Sequence, residues 1–339
     1  PDVTPILMQP NRKKWEWQIL QEWQSPTTIS QRPHSWEWEI KLPGRDGDVS
    51  PERFLEGEAR YEILERLGKG TFGEVCAARD LKLHMDVAIK RISDAFAGYT
   101  CAKRTLREVR ILRLLDAHEN LIKMRTILPI SRHSPTDVYV VFELMDTDLS
   151  RVIESSQHLG DEHIKFFMYQ LLSAVHFLHT AGIAHRDIKP RNMLVNADCT
   201  LKICDFGLAR LCTPDLVVDG GMTDYVATRW YRAPEVFGSG SRRPLALDMW
   251  AAGCVLGELR LRRPLFPGKN AIHTLELIFA VVGYPSDTVL RRLLPGSGNL
   301  DMRAYFRTAC HDNNPNTSSF VGLGKGASTE FMALLKGLC

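Results

Sequence analysis

A chain of 339 residues is long enough to bury a large core, either as two compact units or as one bilobal domain with extensions. With 24% charged and 44% apolar residues and no apolar run of bilayer length, it reads as a soluble globular protein and not as a membrane-inserted one. The net charge of +3, from lysines and arginines that are scattered and not blocked together, argues against nucleic-acid binding, so any anionic ligand must be held locally. Eight cysteines without a CxxC pair suit reduced thiols better than a disulfide framework. The chain opens at Pro1 without a charged-then-apolar leader, so no secretory signal is expected in it.

Residues 1–60 stand apart: they carry five of the seven tryptophans, seven prolines and two Trp-Glu-Trp triplets, Trp15–Trp17 and Trp36–Trp38. No sustained period runs through them. They are expected to form a poorly ordered extension, with a partner-binding aromatic arm as the alternative. From Tyr61 the pattern becomes short strands at Tyr61–Leu67, Val75–Ala78, Val87–Arg91 and Val138–Glu143, with a helix at Arg104–Leu115 between the third and fourth. After Asp161 the apolar positions Ile164, Phe167, Met168, Leu171, Leu172, Val175 and Leu178 have helical spacing, with Asp161 as the expected cap. Met249–Leu259 is apolar nearly all round and predicts a helix buried in a mainly helical second half. The two halves should meet near Glu143–Asp148.

Within the strand-rich half, Gly68, Gly70 and Gly73, followed by Val75, make a turn whose backbone N–H groups can approach phosphate oxygens closely. A dinucleotide-binding fold would follow such a turn with a helix, whereas here a strand follows at once. In Val87-Ala88-Ile89-Lys90, period-two alternation puts Ala88 and Lys90 on one face. A flat base then fits over the small side chain while the cation reaches phosphate, and Glu108 on the next helix can hold the lysine by pairing with it.

His185-Arg186-Asp187-Ile188-Lys189-Pro190-Arg191-Asn192, Asp205-Phe206-Gly207 and Ala233-Pro234-Glu235 complete an ordered set of motifs in which the sequence resembles the protein kinase superfamily over about residues 61–339. The resemblance implies an α+β, bilobal fold, with a small antiparallel β lobe (61–145) bearing one key helix and a larger mainly α lobe (146–339). It implies ATP and Mg2+ as cofactors. Asp187 becomes the catalytic base, Lys189 the residue that steadies the γ-phosphate, and Asn192 and Asp205 the holders of magnesium. Around the nucleotide it places Leu67, Gly68, Gly70, Gly73, Val75, Ala88 and Lys90, the hinge backbone at Glu143 and Met145, Asp148 at the ribose, Leu194 under the base and Phe142 as gatekeeper. Cys204, beside Asp205, reads as a buried thiol and as a possible handle for an electrophile.

The run Met222-Thr223-Asp224-Tyr225, continuing to Glu235, closely resembles the activation lip of mitogen-activated protein kinases, in the class with Thr-Asp-Tyr known from plants and some unicellular eukaryotes. Arg104-Thr105-Leu106-Arg107-Glu108, Asp248-Met249-Trp250 and Phe266-Pro267-Gly268 resemble the same branch. The likeness implies a serine/threonine kinase switched by phosphorylation of Thr223 and Tyr225 by an upstream dual-specificity MAP kinase kinase. Arg107, Arg186 and Arg210 would then meet the threonine phosphate, and Arg229 and Arg232 the tyrosine phosphate. Protein substrates would carry Ser-Pro or Thr-Pro, residence would be cytoplasmic and nuclear, and neither nucleic acid nor membrane is an expected partner.

Beyond Gly268 the resemblance weakens. Residues 285–328 should hold the family's helical insert, but Gly296–Leu300 and His311–Thr329 read as loop, so an altered insert is expected. Glu330–Cys339 resembles the start of a helix, after which the family continues. The reading is therefore of a kinase domain that stops short, without the arginine that pairs with Glu235 or the acidic docking patch. A catalytically impaired nucleotide-binding or scaffolding module is the alternative, and a cyclin-dependent-type kinase, favoured by Phe142 and opposed by Tyr225, comes last.

Overall fold

A computed structural model describes residues 60–70, 73–115, 118–128, 136–212, 229–238, 244–296 and 299–312, together with Ala333, Leu335, Gly337 and Leu338. The chain divides into two units, Pro1–Ile40 and Lys41–Cys339, and everything described belongs to the second. The tryptophan-rich arm lies outside the described residues, as do Thr223 and Tyr225 and most of the Gly, Asn and Ser-rich stretch after Asp312.

The first half folds as β1 (Tyr61–Gly70), β2 (Gly73–Asp80), β3 (Met85–Ile92), α1 (Tyr99–Leu114), β4 (Met124–Ile127) and β5 (Val138–Glu143). The strands form one antiparallel sheet in the order β1-β2-β3-β5-β4. Its four expected strands are present, with β1 reaching through the glycines to Gly70. The fifth, β4, escapes sequence reading because it has only four residues and is broken by a bulge between Met124 and Thr126, so it shows no alternation. Asp80 closes the β2–β3 turn: its Oδ1 accepts from the N–H groups of Lys82 (3.0 Å) and Leu83 (3.1 Å), while Arg60 grips both its oxygens at 3.0 and 2.6 Å. Helix α1 starts at Tyr99, earlier than the expected Arg104. Thr105, Glu108, Ile111 and Leu112 form its buried face, so one carboxylate is carried inward among apolar neighbours.

The second half holds β6 (Thr147–Asp148), α2 (Leu149–Glu154), α3 (Asp161–Thr180), β7 (Ile183–Ala184), β8 (Met193–Val195), β9 (Leu201–Ile203) and β10 (Arg210–Leu211), then α4 (Pro244–Leu261), α5 (Ala271–Val282), α6 (Asp287–Leu293) and α7 (Leu300–Asp312). Short sheets β6-β8-β9 and β7-β10 interrupt the helical pattern. Leu144–Asp146 connects β5 to β6.

Asp161 is not the cap of α3. Gly160 occupies the cap position, and its N–H donates to Nδ1 of His163 at 3.1 Å, while Asp161 and Glu162 sit in the first turn, where their charge favours the helix N-terminus. Leu300, His311 and Asp312, read as loop, belong to α7. The expected central helix is the body of α4, buried on every side from Ala251 to Leu259. Around it Trp250 stacks on Phe266 at 6.0 Å, and Phe279 meets Phe306 edge-on at 5.0 Å.

A second polar anchor ties the loop before β4 to α3 and β9. Asn120 Nδ2 donates to Gln170 Oε1 (3.0 Å) and to the Leu201 carbonyl (2.9 Å), and Gln170 Oε1 also accepts from Leu201 N (2.8 Å). Both side chains are buried and satisfied. No helix among the described residues is long and apolar enough to cross a membrane.

Phe306 is 1% exposed, and truncating it leaves a cavity between α5 and α7. Phe306→Ala is expected to cost about 3–5 kcal/mol, read as a lowered denaturant midpoint at unchanged slope.

Candidate active site

Asp248, on α4 and 1% exposed, is the carboxylate around which the site is assembled. Its Oδ1 accepts from the Arg186 N–H at 2.7 Å, and its Oδ2 from the His185 N–H at 2.8 Å and from His179 Nε2 at 2.9 Å. Arg186 has φ 69°, a left-handed conformation that a non-glycine residue holds only when its surroundings impose it. The His185 ring is fully buried. Its Nδ1 accepts from Asp187 N at 3.2 Å, which leaves Nε2 as the protonated nitrogen, donating to the Cys204 carbonyl at 3.1 Å. The loop from His185 to Asn192 is thereby fastened to Cys204, the residue that follows β9.

Four functional side chains converge at that junction. Lys189 Nζ donates to Asp187 Oδ2 at 2.7 Å, and Asn192 Nδ2 donates to the same oxygen and to the Asp187 carbonyl, both at 2.8 Å. Cys204 N–H donates to the Asn192 carbonyl at 2.9 Å, which sets Asp205 beside Asn192. Asp205 has φ 64°, and its Oδ1 is shielded from solvent without a hydrogen-bond donor, although the side chain as a whole is 31% exposed. Lys90 Nζ lies 3.6 Å from that oxygen. A sequestered carboxylate oxygen without a donor, next to an amide whose nitrogen is committed and whose oxygen is not, is a hard oxygen set that fits Mg2+.

Lys90 itself donates to Glu108 Oε1 at 2.5 Å. Burial opposes its charge, but Glu108 and Asp205 together outweigh that and raise its pKa. Lys90 in turn is the main cause that lowers the Asp205 carboxyl to about 2, against the opposing effect of burial. Phe206, fully buried, packs edge-on against His185 at 4.9 Å. The space where a side chain on Gly207 would lie is filled by the Arg104 guanidinium, 2.5 Å from the position a Cβ would take. Helix α1, Asp205-Phe206-Gly207 and the His185–Asn192 loop therefore form one packed assembly.

The sheet residues expected to face a nucleotide fall into register. Val75 is paired with Lys90, and Ala88 lies between Ala77 and Phe142. Ala88 and Lys90 are half-buried while Val87 and Ile89 are buried, so the two expected residues share a face. The three glycines differ. A Cβ on Gly68 would meet open space, whereas one on Gly73 (φ +146°) would lie 1.9 Å from the Arg91 carbonyl oxygen, so Gly73 is required by the packing of β2 on β3. Leu67, half-buried in β1, leads into the glycines, and Gly70 pairs with Gly73 at the turn.

At the hinge the sequence reading needs narrowing. Glu143 N donates to the Lys123 carbonyl at 3.1 Å, and its carboxylate accepts from Lys123 N (2.8 Å) and from Lys202 Nζ (3.0 Å), which leaves the Glu143 carbonyl as its group for a base. Met145 is buried beside it. Asp148 caps α2 through the Arg151 N–H at 3.2 Å, and burial raises its carboxyl pKa. Leu194 pairs with Asp148 and points away from the buried Met193 and Val195, toward the same side as that carboxylate.

Arg107, Arg186 and Arg210 come together, with Arg104, which sequence reasoning did not single out. Burial lowers the pKa of each of the first three, and their neighbours' positive charges lower it further; Arg210 falls to about 10. The folded chain holds these protons less tightly than an unfolded one, so the cluster destabilises the fold at neutral pH until an anion enters it. Arg229 and Arg232 lie at the two ends of a 3-10 turn, joined by Arg232 N donating to the Arg229 carbonyl at 3.2 Å. Their expected partner Tyr225 is outside the described residues.

The protein kinase domain family matches residues 61–339. The chain belongs to the protein kinases. Within that family it is similar to the mitogen-activated protein kinases: 47% identical over 279 residues to mitogen-activated protein kinase 18 of Arabidopsis thaliana, covering 81% of this chain and 44% of that protein. It is 50% identical to mitogen-activated protein kinase 15 and 46% identical to mitogen-activated protein kinase 16 of Oryza sativa subsp. japonica. Those matches cover 69% and 74% of this chain, and 47% and 51% of the two rice proteins. The chain thus spans about half the length of these relatives. Enzymes of this family use ATP and Mg2+.

The kinase motifs did not lead to His179 or Arg104, and they gave Asp248 only as part of Asp248-Met249-Trp250, without a role in holding the loop. A carboxylate directly before the apolar run Met249–Gly257 was the signal for that role, since burial of a carboxylate demands donors. Cys204 is governed by burial first and Asp205 second, which raise its pKa and suppress the thiolate, whereas Cys101 on α1 is exposed. In peptide mapping after iodoacetamide at pH 8, Cys101 should alkylate at least about tenfold faster than Cys204. Equal rates would contradict this assignment.

Proposed function

We propose that this chain transfers the γ-phosphoryl group of ATP to serine or threonine of protein substrates, with proline directly after the target residue, as a MAP kinase in a signalling cascade of the cytoplasm and nucleus. The observation that carries the reading is the 2.5 Å Lys90–Glu108 pair standing with Asp187, Asn192 and Asp205 on one assembly anchored by Asp248.

In this reading Asp187 orients the substrate hydroxyl. Lys189 and Asn192 both bind its Oδ2, which leaves Oδ1 to accept the hydroxyl proton as the oxygen bonds to phosphorus and the bond to the ADP oxygen breaks. Lys90 holds the α- and β-phosphates, Glu108 fixes the lysine, and the Gly68–Gly73 backbone covers them. Asn192 and Asp205 would hold Mg2+, which when bound neutralises charge on the phosphates. Ala88, Val75, Leu67 and Leu194 enclose the base, the Glu143 carbonyl and Met145 backbone read its edge, and Asp148 takes the ribose hydroxyls. Proline after the target fits a site that offers no acceptor to a backbone N–H, since proline has none to leave unpaired.

Phosphorylation of Thr223 and Tyr225 by a dual-specificity MAP kinase kinase is the proposed switch. A phosphate on Thr223 would enter the cluster of Arg107, Arg186 and Arg210, whose mutual repulsion is supporting evidence for an anion site, and a phosphate on Tyr225 would meet Arg229 and Arg232. The first charge ties α1, the catalytic loop and the lip together, so the modification orders an existing site.

After treatment with an activating MAP kinase kinase, transfer to a Ser-Pro peptide should fall about 10²–10⁴-fold in Asp187→Ala, with nucleotide binding retained. Wild-type rates in that variant would sink the assignment. Thr223→Ala and Tyr225→Phe should each block the activation. Phosphorylation should also raise Tm, and Arg210→Ala should shrink that rise because it removes one partner of the new charge.

A further inference from the structure

Away from the catalytic cleft, the C-terminal end of α1 and strand β4 enclose an open groove of about 280 Å3 lined by Leu112, Arg113, Met124, Arg125, Thr126 and Ile127. None of these belongs to the catalytic or nucleotide-binding set. Two features give the groove a chemical character. The first is its position: β4 is the outermost strand of the sheet, and among the described residues no strand pairs with its outer side. An open strand edge offers backbone N–H and C=O groups as a template for an added strand. The second is its charge. Arg113 and Arg125 both line it, are exposed, and have no carboxylate partner among the described residues. Arg110, one turn earlier on α1, is likewise exposed and without a carboxylate partner among them. Among the described residues, no acidic one lines the groove. Leu114 next to it is 76% exposed, an apolar surface beside the cations.

We propose that this groove is a docking site for an extended acidic segment of another protein, which adds a strand to β4 and sets carboxylates on Arg113 and Arg125 with an apolar residue between them. Alternate residues of a strand face one side, so acidic side chains at positions i and i+2 can address the two arginines while backbone hydrogen bonds supply sequence-independent affinity. Carboxylate–guanidinium pairs supply the selectivity, and the net charge of +3 over the whole chain is too small to attract such a segment without this local cluster.

The test is fluorescence anisotropy with the full chain and a labelled ten-residue peptide of alternating glutamate and valine, against the same peptide with lysine for glutamate. The glutamate peptide should bind saturably, more weakly as salt rises. The lysine peptide should not bind. The double variant Arg113→Glu/Arg125→Glu should weaken binding at least about tenfold, while Arg113→Lys/Arg125→Lys, which keeps the charge, should lose less. Circular dichroism and Ser-Pro phosphorylation should be unchanged in both variants, which separates this proposal from the catalytic reading. Absence of binding, or equal binding to wild type and the glutamate variant, would overturn it. So would exclusion of the peptide by a longer chain carrying its natural continuation, because the occupant would then be the protein's own segment.

Discussion

One buried carboxylate sets the geometry of the whole catalytic region. Asp248 lies buried at the head of the apolar stretch of α4 and is stable there because three donors, two from the backbone and one from His179, meet its two oxygens. In return it fixes the backbone of His185 and Arg186, including the left-handed turn at Arg186 that directs the following residues toward the cleft. The apolar helix supplies rigidity and the charge supplies direction. Without the carboxylate, two backbone N–H groups would be left without partners in the core.

From that fixed loop the order spreads through hydrogen bonds with a defined polarity. The His185 ring accepts from Asp187 and donates to Cys204, so one imidazole joins the loop to the end of β9. Phe206 packs against the same ring and carries the connection to α1, where Glu108 meets Lys90. Helix, loop and sheet therefore agree on one arrangement, and a displacement of α1 would separate Glu108 from Lys90 and uncover Phe206 together. The arginine cluster is attached to the same parts, which gives an anion leverage over all of them.

The sequence made the ordered motifs and the strong periods legible. Ala88 and Lys90 share a face because strands alternate, and α3 and α4 fall where their apolar spacing put them. Elements without a period were not legible. Strand β4 is short and bulged, and the first turn of α1 begins with Tyr99, Thr100 and Cys101, none of which announces a helix. The cap of α3 was misplaced because an aspartate in the first turn and one at the cap look alike in sequence, and only the His163 ring at the Gly160 N–H separates them. Nor could the sequence reveal which hinge groups the fold had already used, as with the N–H and carboxylate of Glu143.

The unlike surroundings of Gly68 and Gly73 bear on how divergence in such chains should be read. Gly73 lies against the carbonyl of Arg91 in the neighbouring strand, so the sheet demands it whether or not a nucleotide is ever bound. Gly68 has empty space beside it and owes nothing to the scaffold. A descendant that abandoned phosphoryl transfer would be free to lose Gly68 and obliged to keep Gly73. Under the proposed nucleotide-binding role the first glycine would answer to the ligand, whereas the third answers to the packing of β2 on β3.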